Sequence, residues 1–99
     1  MRLVEFVVWF KRNKGCINSC LVIRSNPKVN SPSYYFRNVK VLNDIFKDLL
    51  RSSQISISSF ECLFLKYLPE CLSQIKLDSS PSDLEVSNQI KEYFSRVIH

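Results

Sequence analysis

Glycine occurs once in this 99-residue chain, histidine once, and alanine and threonine not at all. Each shortage excludes something. With a single glycine, Gly15, there is no phosphate-cradling loop of the Walker or dinucleotide type. The only histidine is His99, at the fraying end of the chain, so no cysteine has a base to make it a nucleophile. The carboxylates are few, nine in all, and fall mostly on helix surfaces rather than in a pocket that would hold an acid/base pair. No apolar run approaches the ~18–20 residues that span a bilayer. These absences point away from an enzyme, a cofactor and a membrane protein. The missing alanine, normally a common residue, suits a compositionally skewed genome (viral, organellar or parasitic). That origin leaves the missing threonine unexplained, alongside fifteen serines.

What is present suits one globular domain over residues 1–99. A hydrophobic fraction of 45% argues against disorder. The opening MRLVEFVVWFKRNKG imitates a signal peptide only superficially. Its apolar run is short, contains Glu5 and leads into basic residues rather than a cleavage site. It reads as the first strand of a cytosolic protein, with Cys16, Cys20, Cys62 and Cys71 as reduced, buried thiols. Zinc is the competing reading. Two ligands in one strand four residues apart lie ~13 Å from each other, too far to share an ion bound at ~2.3 Å.

Charge is unevenly placed. The net +5 divides into eight basic residues against Glu5 alone in residues 1–43, and six against eight in residues 44–99. The positive field belongs to the N-terminal part.

The pattern predicts an α+β fold: an N-terminal β-hairpin over 3–24, a loop over 25–37, and helices over about 38–51, 59–76 and 82–98. LVEFVVWFKR and CINSCLVIR are rich in Val, Ile, Phe and Trp, which suit a pleated surface. Asn13-Lys14-Gly15 fits a three-residue hairpin loop whose last position needs positive φ, and that alone accounts for Gly15. Both faces of such a hairpin are largely apolar. Two strands are also marginal alone, so extension to three or four antiparallel strands is expected, within the chain or across a dimer. Asn38 is the expected cap of the first helix; the spacings Ser58-x-x-Glu61 and Ser82-x-x-Glu85 mark the starts of the others, and Pro69 is expected to end or kink the second.

Two functional readings follow. The first is a small non-enzymatic interaction module that self-associates as a homodimer or docks into a larger assembly. Its contact face is the second apolar side of the hairpin, Val7, Trp9, Ile17, Leu21 and Ile23, unless a helix of the same chain covers it. The second is a nucleic-acid-binding protein using a basic tip and the loop after it: Lys11, Arg12, Lys14, Arg24, Lys28, Arg37 and Lys40, with Trp9, Tyr34 and Tyr35 interleaved for stacking. An acidic protein partner fits the same cations. A solvated basic tip that serves solubility alone also fits them.

Overall fold

LVEFVVWFKR folds as a helix, not as a strand. The computed structural model describes residues 2–13 and 39–98. Of these, 79% are helical and none lies in a strand. The expected α+β fold is therefore corrected to an all-helical one. The first strand of the hairpin is replaced by α1, Leu3–Arg12. The four-stranded sheet across a dimer goes with it. Lys14, Gly15, the expected second strand and the loop 25–37 lie outside the described residues.

The physical reason lies in the spacing. Leu3, Phe6, Val7 and Phe10 recur at i, i+3, i+4 and i+7, and all four are buried in the core. Glu5 in the first turn and Lys11 and Arg12 in the last oppose the helix dipole favourably. The preference of Val, Phe and Trp for strands is weak and context-dependent, and burial against other helices overrides it.

The stretches read as helical from about 38 to 51, 59 to 76 and 82 to 98 overlap α2 (Lys40–Ser52), α3 (Ile57–Gln74) and α4 (Asp83–Ile98), with ends shifted by up to two residues. α1 and α2 each pack on both α3 and α4, which pack on each other. The centre of the core is aromatic. Phe64 stacks on Phe94 at 4.5 Å between centroids, and Phe46 meets Phe60 and Phe64 edge-on at 4.9 and 5.3 Å. Each of these fully buried rings contributes roughly 1.5–3 kcal/mol by its removal from water.

With so little glycine, serine closes the helix ends. Ser56, rather than Ser58, caps α3 by accepting the N–H of Ser59 at 3.3 Å. Ser82 accepts the N–H of Glu85 at 3.2 Å at the start of α4. Ser52 and Ser53 hydroxyls each donate to a last-turn carbonyl of α2, Leu49 and Leu50, at 2.9 Å. Of the two expected effects of Pro69, an end or a kink, the first does not occur: α3 runs through it. Proline there removes the hydrogen bond that Leu65 would accept and costs ~3 kcal/mol in a helix interior. Leu68, Cys71 and Leu72, buried on both sides of the proline, offset that cost.

Candidate interaction surface

The inner stripe of α1 leaves an outer one. Glu5, Val8 and Arg12 follow each other at i, i+3 and i+7 down the side turned from the core, with Val4 and Trp9 on its flanks. Val4, Val8 and Trp9 are half-buried, and Glu5 and Arg12 are exposed. Two shallow clefts of about 340 Å³ each meet on this face. One is formed by Val4, Glu5, Val8, Trp9 and Arg12. The other joins Arg2, Val4, Glu5 and Val8 to Leu77, Ser80 and Pro81 of the α3–α4 link. Trp9 is braced from below, its ring 6.3 Å from that of Phe6 and nearly parallel to it.

Both ends of α1 are tied down, which makes this face a rigid one. At its start Arg2 offers no side-chain cap. The Asp83 carboxylate does so from across the molecule, accepting the N–H of Leu3 at 3.2 Å and of Val4 at 3.0 Å. At its end, Asn13 donates both its backbone and side-chain N–H to the Trp9 carbonyl, at 3.0 and 2.8 Å. Lys11 Nζ donates to the Ser73 carbonyl in the last turn of α3 at 3.1 Å. The α3–α4 link is fixed in turn. Gln89 exchanges two hydrogen bonds with the backbone of Lys76, at 2.9 and 3.1 Å, and Ile75 is buried. Leu84 follows Asp83 and is 70% exposed, adding an apolar side chain at this end of the molecule.

The residues singled out in the sequence scatter. Val7 lies in the core at 0% exposure, while Trp9 lies on the outer face of α1. Ile17, Leu21 and Ile23 lie outside the described residues. Of the basic set, Lys11 is committed to the Ser73 carbonyl, Arg12 lines the cleft beside Trp9, and Lys40 is exposed at the start of α2. Lys14, Arg24, Lys28 and Arg37 lie outside the described residues. These four, with no acid among residues 14–38, account for four of the five net positive charges; the described residues are nearly balanced. Val4, Glu5, Val8, Leu77 and Asp83 were not singled out. The 3–4 spacing of Glu5, Val8 and Arg12 carried the signal for Glu5 and Val8.

A third cleft, of about 360 Å³, lies between the end of α3 and α4 and is lined by Cys71, Tyr93, Glu92 and Arg96 among others. Burial pushes the Cys71 thiol up to about 12, against the opposing pull of the Arg96 guanidinium. The Tyr93 hydroxyl is raised as well, by burial first and then by the Glu70 carboxylate. Both shifts favour the protonated, uncharged forms of these groups. Among the described residues no three acidic, cysteine or histidine side chains converge as metal ligands. No described helix is long and apolar enough to cross a membrane.

No family model, no curated protein and no solved structure matches the chain.

Proposed function

We propose that the chain is a small interaction module without catalytic activity, binding another protein surface through the outer face of α1. The observation that supports this reading is the continuous strip of Val4, Val8 and Trp9 across two adjoining clefts, edged by Glu5 and Arg12. Apolar centres with charged borders suit protein contacts, and aromatic residues are enriched at their centres. A helix clamped at both ends binds without first having to be ordered. A reducing, cytosolic setting belongs to the same reading, supported by the free thiols of Cys71, buried as expected, and Cys62, which is exposed rather than buried.

Site-specific cross-linking in cells that make the chain tests it. A photoactivatable phenylalanine analogue is placed at Val8, or at Lys47, which is exposed on α2. A protein adduct from position 8 and none from position 47 supports the reading. No adduct at position 8, or equal adducts at both, overturns it. Binding of a short mixed-sequence RNA that disappears as salt rises, with no adduct at position 8, would favour nucleic acid, drawing on Lys14, Arg24, Lys28 and Arg37.

A further inference from the structure

We infer that the occupant of this face is a second copy of the chain, docked with its α1 antiparallel to the first. The inference rests on the reading of α1 as an interaction surface and names the partner. Glu5 and Arg12 are seven residues apart on the outer line of α1, about 10.5 Å along its axis. Val8 and Trp9 lie midway between them. Among the described residues neither Glu5 nor Arg12 takes part in an ion pair.

A two-fold axis through the Val8–Trp9 midpoint lays Val8 on the partner's Trp9, and the symmetry repeats that contact. The same operation sets Glu5 against the partner's Arg12 and Arg12 against the partner's Glu5. Glu5 and Arg12 then each meet the opposite charge, around an apolar centre. A parallel pairing of the same face would set Glu5 on Glu5 and Arg12 on Arg12, so charge alone selects the antiparallel arrangement. The short length of α1 limits the contact, which places the dimer among weak assemblies, forming at about tens of micromolar chain.

Sedimentation of the purified full chain tests this, with Glu5→Arg, Arg12→Glu and the double variant. Each single change creates two like-charge contacts per dimer and is expected to weaken association about tenfold or more. The double variant restores opposite charges and should return within about threefold of wild type. Loss of helix stability cannot imitate this result. Each swap opposes the helix dipole, so the double variant would be the least stable of the three and would associate worst. A wild type that stays monomeric at about 300 micromolar overturns the second copy as occupant. So do single variants that dimerise like wild type, or a double variant that fails to recover. In each of these cases a position-8 adduct with another protein leaves the interaction reading standing, which keeps the two failures distinguishable.

Discussion

Asp83 Oδ1 accepts a hydrogen bond from the Val4 N–H at 3.0 Å, joining residues 79 positions apart in the chain. Its other oxygen holds Leu3 at 3.2 Å, and the Arg2 Nε lies 3.9 Å away. Asp83 is also the first residue of α4. One carboxylate thus lies at the start of two helices, where the free N–H groups and partial positive charge of each favour an anion.

Asp83→Ala should therefore destabilise the fold by about 1–2 kcal/mol, the upper range for loss of a helix cap, because two N–H groups lose their acceptor. Asp83→Asn, which keeps one acceptor oxygen, should cost less. Urea denaturation measures both. An Ala variant as stable as wild type would mean that water satisfies Leu3 and Val4 equally well.

Cys71 predicts a loss of stability in alkali. Its thiol is raised from 9.0 to about 12 in the fold, so above pH 9 the unfolded chain gives up this proton while the folded one keeps it. The folded state then binds more protons, and stability falls with rising pH through the window from 9 to about 12. Tyr93, also raised, acts in the same direction. Cys71→Val removes the thiol and should flatten this decline when unfolding is followed by circular dichroism at stepped pH. An unchanged slope would assign the decline to other groups.

In the α3–α4 link Ser79 and Ser80 stand at φ 63° and 49°, the left-handed region that a Cβ disfavours by roughly 1–2 kcal/mol per residue. Ser79→Gly should raise the midpoint of thermal unfolding by relieving that strain. The gain is held to about 0.5–1 kcal/mol because glycine also frees the unfolded chain. A lower midpoint would show that the serine side chain contributes more than its backbone costs.

The last three helices were legible in the sequence because their apolar residues follow a helical period and Ser82 announces the start of α4. α1 was misread because composition was weighed above period. Projected as a strand, Leu3–Arg12 is apolar on both faces, an awkward result that called for a covering layer. Projected as a helix, it has one buried stripe, Leu3, Phe6, Val7 and Phe10, and the awkwardness vanishes. At Pro69 local chemistry left an end and a kink both open, and the burial of Leu68 and Leu72 on either side carries the helix through. At the surface, Trp9 and Arg12 were singled out for a geometry the chain does not adopt, and Glu5 was read only as an acid within the opening apolar run rather than as a border. The Asp83 contact with α1 has no local signature, because no sequence window contains both partners.

Trp9 is the only tryptophan in the chain, and it lies on the outer side of α1, stacked on Phe6. The packed centre of the molecule is built from phenylalanine, which does not absorb at the wavelengths that excite indole. Indole emission from this protein is consequently a signal from one helix. Anything that covers the Val4–Val8–Trp9 strip, or that lifts α1 away from Asp83, registers as a change of colour or intensity in a single unmodified fluorophore.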